Sequence, residues 1–383
     1  MTTTPTEILP MTLSDAAAAA ARFGVELRAK FLERDREVSG LLLATVAECH
    51  VLLLGPPGTA KTALSLAFAD GLGWTTFVRL LTRTSVPEEL FGPFSLAALE
   101  ADRFERKLDG YLPTAQVAVL DEVFKANSSI LNALLTQLNE RTFDNGTNRI
   151  RTPLEVCVGA SNEYPQDESL AALYDRFLLR YWVEYLRDDS SFEALLLSDG
   201  SGRPTLDPSA VAVLRDAARR VDVRPIVGLV VEIRKELAMK HGIEASDRRW
   251  RQAIGLIRAS AALAGRLVAT ARDLAVLADC LWDRREQSDV IRAVVVPHYS
   301  PDLRRADEIA DDAREIRGKV PTRLTMREIG VAGNAVSDLG LRLEEIRKLD
   351  QADPDVAERT ASVAGYRREV EELIASVSRR ALS

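Results

Sequence analysis

The segment that decides the fold reads Gly55-Pro-Pro-Gly-Thr-Ala-Lys-Thr62. It follows the short apolar run 50–54 and precedes a stretch with helical periodicity, 63–72. Small residues between a strand and a helix allow backbone N–H groups to surround a phosphate at the helix N-terminus, where the helix dipole favours negative charge. The spacing therefore predicts a phosphate-binding loop.

Individual residues of this loop have distinct chemical roles. Lys61 can neutralise the β and γ oxygens of a nucleotide, and the Thr62 hydroxyl can bind Mg²⁺. Ala60 stands where the strict pattern has glycine, which we expect to be tolerated because that position should be helical with a negative φ. The residues predicted to contact the nucleotide are Gly55, Pro56, Pro57, Gly58, Thr59, Ala60, Lys61 and Thr62.

A second motif, Val117-Ala-Val-Leu-Asp-Glu122, is an apolar run that ends in two carboxylates. Ligands of open α/β sheets bind at the carboxyl ends of the strands, so both side chains should lie near the phosphate loop. We expect Asp121 to hold Mg²⁺ together with Thr62, and Glu122 to polarise the attacking water.

Apolar runs and helical segments alternate in the first half of the chain, which predicts a parallel α/β sheet. Further runs occur at 75–81, 117–120 and 154–159, and 128–140 has helical periodicity. After about Asp188 only helices are predicted, at 208–220, 225–241, 247–268 and 271–287. The predicted organisation is a flexible N-terminus (1–14), a nucleotide-binding core (15–188) that starts with Asp15 as a helix N-cap, an all-helical domain (189–302) and an extension (303–383).

The extension, 303–383, contains two stripes of apolar residues at heptad spacing. A turn-like segment at 351–355 separates them, which predicts an antiparallel helical hairpin. Such a hairpin either stabilises the neighbouring domain or docks a partner, and the sequence leaves both roles open.

Composition excludes several classes of protein. Hydrophobic residues make up 46% and charged residues 28%, so most of the chain should fold. The net charge of −7 gives no global attraction to nucleic acid or anionic lipid. Three cysteines and three histidines lack the spacing of a disulfide framework or zinc site, and no signal peptide or long apolar run is present. We therefore expect a soluble cytoplasmic protein without membrane insertion.

The motifs together resemble the AAA+ ATPases of the MoxR group, most closely the RavA type, over roughly residues 20–290. The resemblance implies an α/β fold with an AAA+ P-loop parallel-sheet core, an all-helical lid at 189–302 and, beyond it, the predicted helical hairpin. The segments that carry it are the loop with Ala60, Thr82–Pro93, Gly110–Pro113, Leu131–Arg141, Gly159–Asn162 and Leu173–Phe177.

The same resemblance implies three further site residues. Asn162 is implied as sensor 1, which orients water or the γ-phosphate. Arg176 is implied as the arginine finger presented to a neighbouring subunit, with Arg180 as an alternative. Arg248, in Ser246-Asp-Arg-Arg-Trp250, is implied as sensor 2, with Arg249 as an alternative.

Two inserts also fit the family. Residues 91–110 resemble the helix 2 insert, and 143–150 resemble the hairpin that precedes sensor 1, with an Asn-Gly turn. Such inserts face the central pore in ring ATPases. Arg103, Phe104 and Arg106 either contact a substrate there or form a solvated face.

The function implied by the resemblance is Mg²⁺-dependent ATP hydrolysis in a self-assembled ring, a hexamer, coupled to chaperone-like remodelling or maturation of a partner protein. A von Willebrand factor A domain protein is the implied partner, and the client is not identified by the sequence. Two alternatives are a nucleic-acid motor, which the net acidity and the lack of an added nucleic-acid module disfavour, and a nucleotide-gated scaffold with little turnover.

Overall fold

A computed structural model describes residues 11–165, 167, 170–197, 202–322, 324–325, 327–349, 351 and 354–382. Most of the predicted flexible N-terminus, residues 1–10, lies outside this range. Helix α1 (Leu13–Lys30) already includes the last two residues of that predicted segment.

The helix start predicted at Asp15 is wrong by three positions. Thr12 is the N-cap, and its hydroxyl accepts a hydrogen bond from the Asp15 N–H at 3.2 Å. The Asp15 carboxylate accepts in return from the Thr12 N–H at 3.3 Å. This capping box satisfies two backbone donors at once, so the acidic residue lies inside the first turn.

One parallel sheet contains the strands β1 (His50–Leu54), β2 (Thr76–Leu80), β3 (Val117–Asp121), β6 (Val156–Ser161) and β7 (Phe177–Trp182). Their order across the sheet is β2-β3-β6-β1-β7. The antiparallel pair β4 (Thr142–Asn145) and β5 (Asn148–Arg151) forms a separate hairpin with Gly146 in its turn. The sequence did not predict β7.

Helices connect these strands and form the second half of the chain. Around the sheet lie α2 (Asp35–Ala47), α3 (Lys61–Leu72), α4 (Pro87–Phe91), α5 (Leu96–Glu100), α6 (Ser128–Glu140), α7 (Ala171–Tyr174) and α8 (Asp189–Leu197). After them come α9 (Pro208–Arg220), α10 (Val227–His241), α11 (Asp247–Leu263), a 3₁₀ segment (Ala271–Asp279) and α12 (Arg285–Tyr299).

One hydrophobic core runs through the sheet, helices α1 and α2, and helices α9 to α12. Helices α1 and α2 pack against α9 and α11, which joins the first residues of the fold to the helical lid. Among the fully buried side chains are Phe23, Phe68 and Trp282. No described helix has the length and apolar character needed to cross a membrane.

The described part of the extension contains three helices and has a small core of its own. They are α13 (Pro301–Gly318), α14 (Ile329–Ile346) and α15 (Pro354–Leu382). Helices α14 and α15 pack together as the predicted hairpin, and α13 packs against both. The prediction of two helices omitted α13 because three of its five described buried residues are alanines set among many charges. The five are Leu303, Ala306, Ile309, Ala310 and Ala313.

Candidate functional site

The predicted nucleotide residues meet at the carboxyl edge of the sheet. Strand β6 lies between β1 and β3, with Leu54 opposite Ser161 and Leu120 opposite Gly159. Because all three strands run parallel, the segments that follow them emerge side by side. The structure thereby brings the phosphate loop, Asp121 and Glu122, and Asn162 together.

Lys61 lies inside the phosphate loop. Its ammonium donates hydrogen bonds to the carbonyls of Gly55 and Pro56, both at 2.7 Å, and to the Asn162 side-chain oxygen at 3.1 Å. Burial lowers the pKa of Lys61, and the carboxylates of Asp121 and Glu122 oppose that shift. A buried cation held mainly by neutral carbonyls is suited to bind phosphate oxygens, which are stronger acceptors.

Thr62 and Asp121 form the part of the site that fits Mg²⁺. The Thr62 hydroxyl donates to an Asp121 carboxylate oxygen at 2.9 Å, so both oxygens can reach one ion. Mg²⁺ prefers such oxygen ligands and in nucleotide sites takes only one or two from the protein, with water and phosphate oxygens completing the shell. The two residues present therefore fit the predicted metal.

Glu122 is held by two side chains. The Asn162 amide donates to one carboxylate oxygen at 2.6 Å, and the Lys125 ammonium lies 3.2 Å from the other. Asn162 thus contacts both Lys61 and Glu122 and links the phosphate loop to the end of β3. Lys125 was missed by sequence reasoning, although its position three residues after Glu122 is a usable signal.

Ala60 does not have the backbone conformation that we predicted. Its φ is 63° and its ψ is 20°, in the left-handed region, and it caps the N-terminus of α3 without a side-chain hydrogen bond. The chain has to turn sharply from the loop into the helix at this residue, and a negative φ would not make that turn. Ala60 therefore carries strain that glycine would avoid.

A cavity of about 320 Å³ adjoins the phosphate loop. Its apolar lining includes Phe31, Leu32 and Leu195, while Gly58, Thr59 and Ala60 form the side toward the loop. The loop is also tied to this region, because Arg34 donates to the Thr59 carbonyl at 3.4 Å and the Tyr185 hydroxyl to the Pro57 carbonyl at 3.1 Å. The cavity has the position and character expected for the base of a nucleotide.

These cavity residues were not found from the sequence. The Arg34 contact joins residues 25 positions apart, and the Tyr185 contact joins residues 128 apart. Only the fold brings them to the loop, so no local pattern marks them.

Arg176 lies at the opposite edge of the sheet. It immediately precedes β7, and Phe177 pairs with His50 at the start of β1, whereas the phosphate loop follows the end of β1. Five residues at about 3.3 Å each separate the two edges by roughly 15 Å. Arg176 therefore cannot reach the phosphate site of its own chain.

Arg248 shares that edge. Its guanidinium donates to the Asn139 side chain at 2.6 Å, and the adjacent Leu138 carbonyl lies 2.9 Å from the ring of His50 at the start of β1. Burial lowers the pKa of Arg176, and the nearby Arg248 charge lowers it further. The Arg176 and Arg248 side chains therefore lie near each other at this edge of the sheet.

Arg180 and Arg249, the two alternatives, have other partners. The Arg180 side chain is fully buried, lies over the Tyr174 ring at 3.9 Å and pairs with Asp283 at 2.8 Å. Arg249 is buried and pairs with Asp175 and Asp283, both at 2.8 Å. A fully buried guanidinium cannot reach a neighbouring subunit, so Arg180 is excluded as the finger.

The two inserts pack against each other. Asn145 of the β4–β5 hairpin accepts from the Arg106 N–H at 2.6 Å, and the Phe91 and Phe143 rings stack 5.2 Å apart. The Arg106 side chain pairs with Glu88 at 3.0 Å and is largely buried, so it is a structural residue rather than a free pore contact. Phe104, by contrast, is 67% exposed.

Comparisons with known proteins agree with this architecture. Residues 21–209 match the family model of the MoxR domain in MoxR-vWA-beta-propeller ternary systems, and residues 225–295 match an AAA lid domain. The uncharacterized protein MJ0079 of Methanocaldococcus jannaschii is 38% identical over 85% of this chain and 85% of its own length.

Two relatives carry MoxR names. The chaperone MoxR1 of Mycobacterium tuberculosis is 27% identical over 42% of this chain and 43% of its own. Protein MoxR of Methylorubrum extorquens is 28% identical over 46% of this chain and 52% of its own.

A solved structure shares the fold. The crystal structure of a candidate ATPase from Cytophaga hutchinsonii superposes with a TM-score of 0.60 at 17% identity, covering 74% of this chain and 95% of that one. With the phosphate loop, the sheet order and the matched lid helices, these similarities lead to one assignment: the chain belongs to the MoxR group of AAA+ ATPases.

Proposed function

We propose that this chain is a Mg²⁺-dependent ATP hydrolase whose active sites form between neighbouring subunits of a ring, a hexamer. The observation that carries the proposal is the separation of the site into two edges. Lys61, Asp121 and Glu122 lie at the carboxyl edge, while Arg176 and Arg248 lie about 15 Å away at the other. A second copy is needed to bring the arginines to a nucleotide.

Each residue then has one chemical role. Lys61 binds the β- and γ-phosphates, Thr62 and Asp121 hold Mg²⁺, and Glu122 polarises the attacking water, which Asn162 orients. Arg176, with Arg248 beside it, is supplied by the neighbouring subunit and stabilises charge on the transferring phosphoryl group. Phosphoryl transfer needs positioning and charge neutralisation, and this set of residues provides both.

Hydrolysis is coupled in this proposal to remodelling or maturation of a partner protein, with a von Willebrand factor A domain protein as co-factor protein. Support comes from the matched family model, which is described by its occurrence in MoxR-vWA-beta-propeller systems, and from the relative named as a chaperone. The RavA-type resemblance and a cytoplasmic location stay predictions from the sequence. The exposed Phe104 in the helix 2 insert offers an apolar side chain to a client.

Mixing two inactive variants tests the shared site. Arg176→Ala removes the finger but leaves the chain's own phosphate site intact, whereas Glu122→Gln removes the base but keeps the finger. Each alone should hydrolyse ATP at least about 100-fold more slowly than wild type. Mixed rings should regain hydrolysis, because some Arg176→Ala sites then receive a finger from a Glu122→Gln neighbour.

Arg224→Ala is the matched control, because Arg224 is 88% exposed and pairs only with Asp222 among the contacts of the described chain. It should hydrolyse ATP like wild type. Absence of any recovery in the mixture would refute the shared site. Tight ATP binding by wild type without turnover would favour the scaffold, and strong stimulation by DNA or RNA would favour the motor.

A further inference from the structure

Four charged side chains form a continuous chain of ion pairs where the sheet meets the lid. Arg180 on β7 pairs with Asp283 at 2.8 Å, Asp283 pairs with Arg249 on α11 at 2.8 Å, and Arg249 pairs with Asp175 at 2.8 Å. Two members, Arg180 and Asp175, belong to the α/β core, whereas Arg249 and Asp283 belong to the helical part. We call these four residues the junction network.

The two arginines of the junction network are buried, whereas its carboxylates are partly exposed, Asp283 at 50% and Asp175 at 39%. The Arg180 side chain is 0% exposed and that of Arg249 is 9% exposed. Burial raises the pKa of the Asp283 carboxyl, but the two guanidiniums outweigh it, so the net shift is downward and the carboxylate stays charged. The two buried guanidiniums are held in one geometry, because breaking either ion pair would leave a buried charge without compensation.

Further contacts fix the backbone around the network. Arg180 donates to the carbonyls of Phe177 at 3.0 Å and Tyr174 at 3.2 Å. The Tyr174 hydroxyl donates to the Asp283 carbonyl at 2.8 Å. The segment that leads into β7 is therefore tied to the lid by both side-chain and backbone groups.

The two arginines assigned to the neighbour's nucleotide each flank one member of the network. Arg176 follows Asp175 in the chain, and Arg248 precedes Arg249. The Arg176 guanidinium pairs only loosely with Asp175, because their closest approach is 3.8 Å. The Nε atom of Arg176 is buried without a hydrogen-bond partner. Asp175 is instead engaged by Arg249, so the Asp175–Arg249 pair sets the spacing between Arg176 and Arg248.

We infer that the junction network positions Arg176 and Arg248 as one unit, so that the lid and the α/β core present both guanidiniums together to the nucleotide of the next subunit. This inference rests on the proposed function. Asp175 and Arg249 are thus positioning residues, which touch no nucleotide and act through their neighbours in the chain. A change in lid position would move Arg248 and Arg176 together.

Asp175→Asn tests the inference, because it removes the charge that Arg249 binds while it keeps the shape of the side chain. We expect hydrolysis to fall by about tenfold or more, with ATP affinity within about twofold of wild type, since the phosphate site lies at the other edge. Mixing with Glu122→Gln subunits should restore hydrolysis at Asp175→Asn sites, which then receive an intact arginine pair. Asp216→Asn, the same change in an exposed pair with Arg220, should leave activity at the wild-type level.

Two outcomes would overturn the inference. The first is hydrolysis at the wild-type rate by Asp175→Asn. The second is a loss of hydrolysis that Glu122→Gln subunits do not restore, which would place the defect in the variant's own site or fold. Arg249→Lys supplies the same test if Asp175→Asn fails to fold. Lysine keeps the charge but lacks the two terminal nitrogens through which Arg249 pairs with Asp175 and Asp283. The Arg176→Ala mixture separates the two proposals. If that mixture recovers and Asp175→Asn is fully active, only the junction inference fails; if it does not recover, the shared site fails.

Discussion

Ala60 stands at the entrance to helix α3 with a φ of 63°, and this strain can be measured. Replacing it by glycine should raise the free energy of unfolding by about 0.5–1 kcal/mol, because a left-handed alanine costs more than the added chain entropy of glycine. Chemical denaturation followed by circular dichroism checks the change. Gly58→Ala, at a φ of 80° with open space around the new methyl group, should lower the free energy of unfolding. An unchanged or lower value for Ala60→Gly would contradict the strain.

Lys61 and Glu122 should separate nucleotide binding from hydrolysis. Lys61→Ala removes a charged donor from the phosphate loop, and loss of about 1.5–3 kcal/mol of binding energy should weaken ATP affinity by roughly tenfold or more. Glu122→Gln keeps the shape of the base, so it should bind ATP about as tightly as wild type and fail to hydrolyse it. Titration with a fluorescent ATP analogue gives both affinities. Equal affinity of Lys61→Ala and wild type would remove the lysine from the phosphate site.

His50 joins three elements at the edge opposite the phosphate loop. Its Nδ1 accepts from the Cys157 N–H of β6 at 3.0 Å, so its Nε2–H donates to the Leu138 carbonyl of α6 at 2.9 Å. Burial lowers the pKa of His50 to about 3, and Arg141 adds to the shift. The folded chain therefore holds His50 neutral, while an unfolded histidine takes up a proton below about pH 6.5.

The resulting pH dependence has a definite sign. Because the folded pKa is below the unfolded value, the stability contribution is complete above about pH 6.5 and falls as pH decreases toward 3. Between pH 7 and 5.5, wild type should lose about 1 kcal/mol more free energy of unfolding than His50→Gln. His241→Gln, the same substitution at an exposed histidine, is the matched control. If the free energy of unfolding fell equally with pH in wild type and His50→Gln, His50 would not take up a proton on unfolding.

Elements with one clear periodic signal could be predicted from the sequence, and those with mixed signals could not. Strand β1 and helices α6 and α9 occur at the bounds predicted for them, since each combines an apolar run or stripe with a turn or cap residue. Strand β7 was missed because Arg180 interrupts its apolar run, and only the buried pairing with Asp283 explains a charge there. That partner lies 103 positions away, beyond the reach of any local pattern.

At the scale of the whole molecule, the site divides into a part that the sequence predicts and a part that it does not. Residues within the phosphate loop and at the end of β3 are marked by short motifs, and the sheet brings them together as the motifs require. The cavity beside the phosphate loop and the junction network both join residues that are distant in the chain. Their positions depend on how the lid packs on the core, which no single stretch of sequence specifies.

The whole molecule also sets how activity depends on assembly. If Arg176 completes the site of a neighbour, an isolated subunit lacks a catalytic group, and dilution should remove activity as the ring dissociates. If one subunit carried a full site, each chain would keep its activity at any concentration. The two arrangements therefore differ in how the activity per subunit depends on protein concentration.

The most direct measurement is steady-state ATP hydrolysis per subunit across protein concentrations that span ring dissociation, with oligomer mass measured on the same samples and Glu122→Gln as the contamination control. A site shared between subunits predicts that specific activity rises steeply with concentration, follows the fraction of assembled ring, and is absent in the control. Full activity per subunit in dilute samples that contain only monomers would contradict a site shared between subunits.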